Sequence, residues 1–565
     1  MKVLIVGGVA GGAGAAARLR RNDEKAEIIL FEKGQYISFA NCGLPYYIGG
    51  TITEREKLQL QTPEAFRARF NVDVRVNNEV LSVDSAAKTV SVKNHATGET
   101  YTERYDKLVL SPGASPIRPN MPGMEDNHVF TLRNIPDTYA IYDHIEQNQP
   151  KTAAVIGAGF IGLEMAENLA HRGLKVSVVE ASPHVMAPID LDMAHPVHNY
   201  IRGVGVGLYV GKKCASFTRD AVLLEDGTSI PADMVILSIG VMPETRFLQG
   251  SGVELGKRGE ILIDDQLHTS VADIYALGDA ATVKNIVTGS TQVIPLAGPA
   301  NKQARIVADV ICGKNARYKG SQGTSIMKFF DLVVACTSEK EESLKANGIP
   351  YHKIFTVSAS HAGYYPDGTQ MVVKTLFAPE TGKILGAQIV GGEGTDKRID
   401  DLANAVRFGM TVYDLQEMEL AYAPPFSSAK DPVNMVGFVG QNVLEGTMVP
   451  FYAEDVANIP ANAVRLDVRN PEELDELGTI PGFVNIPVNQ LRDRLGEVDL
   501  SKEIYVSCQV GLRGYVAQRI LAQNGAKVHN LSGGYTLYSA YVKDQEGLAD
   551  GELKNCASCG KQEKK

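Results

Sequence analysis

The 565-residue chain is 44% hydrophobic and 22% charged, with 55 glycines and no tryptophan, the composition of an α/β protein of about three or four domains. A formal net charge of −10 argues against a nucleic-acid partner. No apolar run reaches the ~18 residues that a membrane span needs, so no membrane partner is expected; seven scattered cysteines exclude a disulfide scaffold and predict a cytoplasmic protein with reduced thiols.

The chain opens directly on a strand, Lys2-Val3-Leu4-Ile5-Val6, with no signal peptide expected. Gly7-Gly8-Val9-Ala10-Gly11-Gly12 and a small-residue helix over 13–19 follow. Gly7 permits a tight turn and Gly12 lets the helix approach the strand, so a pyrophosphate can rest on the N–H groups at the helix start. Val9 stands at the usual middle glycine of this pattern, and Gly8 is expected to give the close approach instead. A second strand over 27–31 ends at Glu32, where a carboxylate can accept from a ribose diol.

Cys42 follows, in Ser38-Phe39-Ala40-Asn41-Cys42-Gly43-Leu44-Pro45-Tyr46. The next cysteine is Cys214, too remote in sequence for a local pair. Cys42 is therefore expected to work alone, as a thiolate, a sulfenate or a mixed disulfide with a small thiol. Arg18 and Arg21, three apart on the first helix, share a face and can fork onto phosphate oxygens.

A second nucleotide unit runs from the strand 153–156 through Gly157-Ala158-Gly159-Phe160-Ile161-Gly162 into a helix over 163–173. The next strand, 175–179, ends at Glu180, which repels a 2′-phosphate; NADH is favoured, with NADPH possible. Residues 320–445 read as alternating strands and helices, including strands over 371–377 and 384–390 and a helix over 396–408.

From about 450 the character changes, with a strand over 463–469 and another over 503–507 that runs into Cys508-Gln509-Val510-Gly511-Leu512-Arg513 and a helix over 514–524. Such a strand–loop–helix points successive N–H groups inward, which favours a thiolate or persulfide anion at Cys508. Arg513 either braces the loop or meets an anionic sulfur donor. The tail carries Cys556 and Cys559, half a zinc site with no second pair nearby, so no metal is expected. That pair is either part of a frayed terminus or a mobile dithiol, while Cys214, Cys312 and Cys336 read as packing residues.

Ala272-Asp273-Ile274-Tyr275-Ala276-Leu277-Gly278-Asp279 resembles the second flavin motif of flavoproteins with two dinucleotide domains, in which the aspartate bonds the ribityl chain. Segments 111–116 and 238–243 resemble the crossover segments of the same family. The resemblance implies an α/β fold with two Rossmann-like dinucleotide-binding domains, for FAD (1–112 and 245–320) and NADH (113–244). An α+β dimerisation domain (321–446), a C-terminal rhodanese α/β domain (450–545) and a tail (546–565) complete it. Segment 38–46 resembles coenzyme A disulfide reductases, persulfide reductases and NADH oxidases with one redox-active cysteine. Almost the whole chain resembles the fusion of coenzyme A disulfide reductase with rhodanese.

That resemblance implies cofactor contacts in the first unit at Gly7, Gly8, Gly11, Gly12, Glu32 and Lys33. Others fall at Ser111, Gly113, Asp279, Leu296 and Ala297, and, in the second unit, at Gly157, Gly159, Phe160, Ile161, Gly162, Glu180 and Gly240. Coenzyme A contacts are implied at Arg18, Arg21, Ser38, Asn41 and Lys430, and Tyr364 and Tyr422 are implied to reach across a homodimer to the substrate sulfur. The implied activity is NADH- and FAD-dependent reduction of coenzyme A disulfide, coenzyme A persulfide or polysulfide through a Cys42–coenzyme A mixed disulfide, with Cys508 transferring sulfane sulfur. Three rivals stand beside it: an NADH oxidase or peroxidase with a Cys42 sulfenate, a sulfur carrier regulated by the flavin module, and a non-catalytic redox sensor.

Overall fold

The computed structural model describes residues 1–126 and 128–550, which fall into two compact units. One consists of Met1–Ala181 with Lys212–Gly323, the other of Ser182–Gly211 with the chain from Thr324 onward.

In the first unit the strands Ile274–Ala276, Lys107–Leu110, Lys2–Val6, Glu27–Glu32 and Asp73–Val76 lie in that order, all parallel. Their Val, Leu and Ile runs suit strands covered on both faces. Val3 and Ile5 join a core with the helices Ala10–Asn22 and Ala297–Ile311, whereas Leu4 and Val6 join a second core with Val80, Val83, Val90 and Val92 of an antiparallel sheet. The two helices approach closely because small residues line the first: a Cβ on Gly14 would lie 3.1 Å from the Cβ of Ala304.

A second parallel set in the same unit pairs Lys175–Glu180 with Thr152–Ile156, then Met234–Leu237, then Val129–Phe130. Both nucleotide helices begin earlier than the sequence suggests, at Ala10 and Phe160, since the last glycines of each turn already belong to the first helical turn.

The second unit contains an antiparallel sheet ordered Ser325–Phe329, Leu332–Ser338, Ile384–Gly391, Gln370–Phe377 and His352–Ala359. Lys374 is fully buried in it, which only counter-ions make tolerable. Its ammonium meets Asp190 at 2.9 Å, Asp192 at 2.7 Å and Glu341 at 2.5 Å. A five-stranded parallel sheet follows, ordered Pro450–Phe451, Val528–Leu531, Ile504–Ser507, Val464–Asp467 and Val484–Asn485. The strand expected over 463–469 stops at Asp467, because Arg469 turns back and donates its backbone N–H to that carboxylate. Among the described residues no helix is long and apolar enough to cross a membrane.

The helices Leu191–Gly203 and Gly534–Asp550 are pinned together by one buried carboxylate. Asp544 accepts from His195 Nδ1 at 2.6 Å, His198 Nδ1 at 2.8 Å and Arg202 Nη1 at 2.6 Å. His198 Nε2 accepts from the Val185 N–H, so the neutral ring carries its proton on Nδ1 and points it at Asp544. The contacts have hydrogen-bond lengths and Arg202 fills the second oxygen, so the cluster is closed by protons. Burial lowers the His198 pKa, and the histidines and Arg202 hold Asp544 well below the usual carboxylate range against the opposing effect of burial.

Asp544→Ala leaves three donors facing a buried gap and is expected to cost about 3–5 kcal/mol, read as a lower first transition in a thermal scan. The buried His198 resists a proton that the unfolded ring accepts, so this part of the stability is present at neutral pH. It declines as pH falls below the ordinary histidine value of 6.5. A scan series from neutral to mildly acidic pH checks that sign.

Candidate functional site

The first glycine turn is built as the spacing predicts. Gly7 has φ +97°, a conformation that glycine adopts without strain, and a Cβ on Gly12 would stand 1.8 Å from the Gly7 carbonyl oxygen. Gly8 serves packing as well: its Cβ would fall 2.7 Å from Ile37 Cγ2. Gly11 faces Ser111 Oγ and Leu277, with no space for a side chain. Val9 gives the following helix no side-chain cap, so its first N–H groups remain available to an anion.

Glu32 accepts from the Gly8 N–H at 2.8 Å and the Gly34 N–H at 2.9 Å, and burial raises its pKa. The carboxylate expected to meet a ribose thus also braces the turn. Neighbouring Lys33 forms an ion pair with Glu244.

The second turn repeats the design. Gly157 has φ +102°, and a Cβ on Gly162 would meet the Gly157 oxygen at 1.9 Å. Gly159 faces open space and caps the helix Phe160–His171 with no side-chain bond, as a phosphate cradle requires. Phe160 and Ile161 form the first turn of that helix, and Glu180 accepts from the Ala158 N–H at 2.8 Å. Gly240, at φ +115°, adopts another conformation suited to glycine.

Asp279 lies in a short 3₁₀ turn, Gly278–Ala280, and accepts from Arg133 Nη2 at 3.0 Å. The same guanidinium lies 3.2 Å from where a Gly113 Cβ would be. Arg133 thus joins two sequence-predicted positions, although no motif marks it. Leu296 precedes the helix Ala297–Ile311 without a side-chain cap. Two uncapped helix starts beside glycine turns, together with Asp279, fit two dinucleotides.

Cys42 occupies a 3₁₀ turn, Asn41–Gly43, that runs straight into the helix Leu44–Ile48. Its thiol is free and the residue is exposed. The fold does not activate it: burial of the sulfur raises its pKa, Glu164 and Asp279 add to this, and Arg133 opposes. Ser38, held at φ +43°, donates its N–H to the Gly8 oxygen at 2.9 Å. The Asn41 Oδ1 is buried with no hydrogen-bond partner among the described residues.

Two residues near Cys42 escaped the sequence reading. Glu164 and Glu167 are acids in the mostly apolar helix Phe160–His171, and burial together with Glu167 pushes the Glu164 carboxyl up to about 7. Burial first, and the nearby negative charge of Glu164 and Glu167 after it, push the Tyr46 phenol up to about 12. A pair of acids at i and i+3 in an apolar run was the available clue.

Arg18 and Arg21 do not present two free guanidinium groups. Arg18 is forked onto Asp309 at 2.8 and 3.0 Å, because the helix Ala297–Ile311 packs against its own. Arg21 remains exposed and without an ion pair among the described residues.

In the second unit Tyr364 Oη lies 3.0 Å from Tyr422 Oη, and both rings are exposed. Tyr365 instead packs its ring edge-on to His361. Lys430 is exposed beside Asp431, which pairs with buried Arg398.

Cys508 is fully buried at the end of the strand Ile504–Ser507, and the Gly511 N–H donates to its sulfur at 3.1 Å. Gly511, at φ +99°, opens the helix Leu512–Gln523. The loop is tied down by Tyr535 N–H on the Cys508 oxygen at 2.8 Å and by the Thr536 hydroxyl on the Gln509 oxygen at 2.9 Å. Arg513 makes a bidentate pair with Glu473, at 2.5 and 2.6 Å. That pairing holds the Glu473 carboxyl at about 2.

Arg469, fully buried, bonds Asp467, lies 4.0 Å over the Tyr535 ring and reaches Gln509 of the loop at 3.4 Å. Burial pushes the thiols of Cys214 and Cys336 up to about 11, in keeping with packing roles, whereas Cys556 and Cys559 lie outside the described residues.

Residues 1–304 match the pyridine nucleotide-disulphide oxidoreductase model, 324–432 the dimerisation domain of those enzymes and 453–541 the rhodanese-like domain. The chain is 38% identical to the coenzyme A disulfide reductase of Staphylococcus haemolyticus over 443 residues, 78% of this chain and 100% of that protein. Among solved structures, reduced CoADR-RHD of Bacillus anthracis is 49% identical, with a TM-score of 0.94 over 96% of this chain and 98% of that one. The NAD-dependent persulfide reductase of A. fulgidus is 34% identical, with a TM-score of 0.90 over 95% of this chain and 100% of that one. The chain belongs to the pyridine nucleotide-disulphide oxidoreductase family, with its dimerisation domain and a rhodanese-like domain behind the nucleotide-binding half.

Proposed function

We infer that the protein is an FAD-dependent reductase that uses NADH to reduce coenzyme A disulfide and coenzyme A persulfide at Cys42, supplied with sulfane sulfur by Cys508. The observation that carries this is a free cysteine, exposed as a residue, in the same unit as two dinucleotide turns. The relatives named coenzyme A disulfide reductase and persulfide reductase support it.

Bound FAD would supply the two-electron link between NADH and sulfur. Asp279, the first glycine turn and the start of Ala297–Ile311 would hold it, while the second turn would hold NADH. The chain's own chemistry lies in sulfur exchange. The Cys42 thiolate attacks one sulfur of coenzyme A disulfide, the S–S bond breaks, a Cys42–coenzyme A disulfide forms, and a coenzyme A thiolate leaves with the electron pair. With coenzyme A persulfide the same attack releases hydrosulfide and leaves the same mixed disulfide; polysulfide fits this chemistry as a further substrate. Return of Cys42 to the thiolate consumes two electrons, whose source is NADH.

Asn41, with its buried free acceptor, and exposed Arg21 and Lys430 are the groups we assign to coenzyme A. Dimerisation through the 324–432 segment would offer the Tyr364–Tyr422 phenols to a leaving thiolate as hydrogen-bond donors. Cys508 carries the sulfane sulfur, with the Gly511 N–H on its sulfur and Arg513 and Arg469 holding the loop. Such thiol chemistry suits a reducing cytoplasm and needs neither nucleic acid nor membrane. An oxidase acting through a sulfenate gives the rhodanese-like segment nothing to do.

Intact mass of the purified protein is expected to show an adduct of coenzyme A mass that reductant removes and that Cys42→Ser abolishes. Cys42→Ser is also expected to lower NADH turnover with coenzyme A disulfide by about a thousandfold or more while retaining bound flavin. Persistence of turnover in that variant, or faster reoxidation by oxygen than by coenzyme A persulfide, would sink the reading. Cys508→Ser is expected to spare coenzyme A disulfide reduction and to lose sulfide release from thiosulfate, measured in the presence of coenzyme A and NADH.

A further inference from the structure

We propose that Arg398 is the positioning residue of the Tyr364–Tyr422 pair: its buried guanidinium ties together the two loops that carry these phenols. The inference deepens the functional reading above and rests on it for the part the phenols play.

The geometry starts from what the loops lack. Tyr364 lies between the strands His352–Ala359 and Gln370–Phe377, and Tyr422 between the helices Val412–Glu417 and Pro432–Leu444. Neither segment has a ladder or a helix of its own to fix a side chain. The phenol oxygens nevertheless stand 3.0 Å apart, although both rings are exposed and gain little from burial. Their placement is set by the backbone beneath them.

Arg398 joins that backbone. It projects from the helix Thr395–Phe408 and is enclosed by protein. Its Nη2 donates to the Ser360 oxygen at 3.0 Å, four residues before Tyr364. The same nitrogen donates to the Phe426 oxygen at 3.3 Å and to the Ser427 hydroxyl at 3.0 Å, four and five residues after Tyr422. Beside it the loops meet directly, because the Ala362 N–H donates to the Ser427 oxygen at 3.1 Å. The Ser427 N–H closes onto the oxygen of Ala423, next to Tyr422, also at 3.1 Å.

A carboxylate makes the buried charge tolerable. Asp431 accepts from Arg398 Nη2 at 2.9 Å and from the Ser427 hydroxyl at 2.6 Å, and it caps the helix Pro432–Leu444. Adjacent Lys397 adds a second grip, its Nζ lying 3.3 Å from the Ala421 oxygen. A lysine at 398 keeps the charge but loses the planar fork that reaches several acceptors at once.

The pair has a use that a single phenol lacks. Each carries one O–H, so one donates to the other and one proton is left to face outward. That remaining O–H belongs to an oxygen already accepting a hydrogen bond, which strengthens it as a donor to a leaving thiolate. No covalent bond changes at either phenol. A shift of about 1 Å in either loop parts the oxygens and leaves two ordinary phenols.

The experiment uses the full-length flavin-loaded protein with Arg398→Lys, Ser427→Ala and Tyr422→Phe, and with each of the first two combined with Tyr422→Phe. Flavin absorbance and a thermal scan confirm that each is folded. Two readouts are taken: kcat and KM with coenzyme A disulfide and NADH, and photo-oxidative dityrosine cross-linking between the peptides of Tyr364 and Tyr422, identified by mass spectrometry. Arg398→Lys and Tyr422→Phe are each expected to lower kcat about tenfold, with KM changed less, and Ser427→Ala about threefold. The double variants are expected to match Tyr422→Phe alone, because Arg398 acts through the phenols. Cross-linking should fall several-fold in Arg398→Lys and vanish in Tyr422→Phe. Ser427→Ala keeps the Arg398–Asp431 pair and carries the same comparisons where Arg398→Lys does not fold.

Losses that multiply in the double variants, or cross-linking that is unchanged in Arg398→Lys and Ser427→Ala, overturn the positioning role. Absence of coenzyme A disulfide turnover in the unsubstituted protein, with cross-linking still dependent on Arg398, overturns the functional reading and leaves the positioning role standing.

Discussion

Cys42 has no sulfur partner in its own unit, and the rest of the chemistry follows from that constraint. Cys214 and Cys312 are free and half-buried, and neither is bonded to it. Among the described residues Cys42 is bonded to no other cysteine, so a diffusible thiol that serves as both substrate and redox partner suits it. Backbone strain at Ser38 and an unsatisfied acceptor at Asn41 sit just before the cysteine. The protein must also control the charge on a sulfur that no neighbouring thiol buffers. The local field does this in an unexpected direction, since burial and two carboxylates favour the protonated form.

The rhodanese-like end solves a different electrostatic problem. Cys508 is wholly enclosed by protein, yet a sulfur that accepts sulfane sulfur must carry negative charge at some stage. A backbone amide aimed at the atom stabilises that charge without adding a movable counter-ion. The two nearby guanidinium groups are committed elsewhere, Arg513 to Glu473 and Arg469 to Asp467. Both are held by carboxylates of their own rather than by the sulfur.

The parts of the structure that depend on backbone shape were legible in the sequence. Gly7, Gly12, Gly157 and Gly162 announce themselves because no other residue fits where a Cβ would strike a carbonyl oxygen at 2.5 Å or less. Strand ends at Glu32 and Glu180 were equally readable, although their carboxylates turned out to clasp the glycine loops. What stayed hidden depends on side chains from distant segments. Arg18 looked available until Asp309, almost three hundred residues later, came to face it. Arg133, Glu164 and Arg469 acquire their significance only through neighbours that no spacing rule connects. Tyr364, which only the family resemblance marks, sets its phenol beside that of Tyr422 from a segment 58 residues away.

The terminal helix Gly534–Asp550 has a mechanical character that its amphipathic sequence conceals. Near its first residue it is bolted to the Cys508 loop through Tyr535 and Thr536, and about 13 Å further along it is bolted to the histidine pair through Asp544. It therefore behaves as a tie rod, transmitting displacement at one anchorage to the other. Proteolytic nicking between the two anchorages would cut the rod, and the sulfur loop would lose its register while its own residues stayed intact.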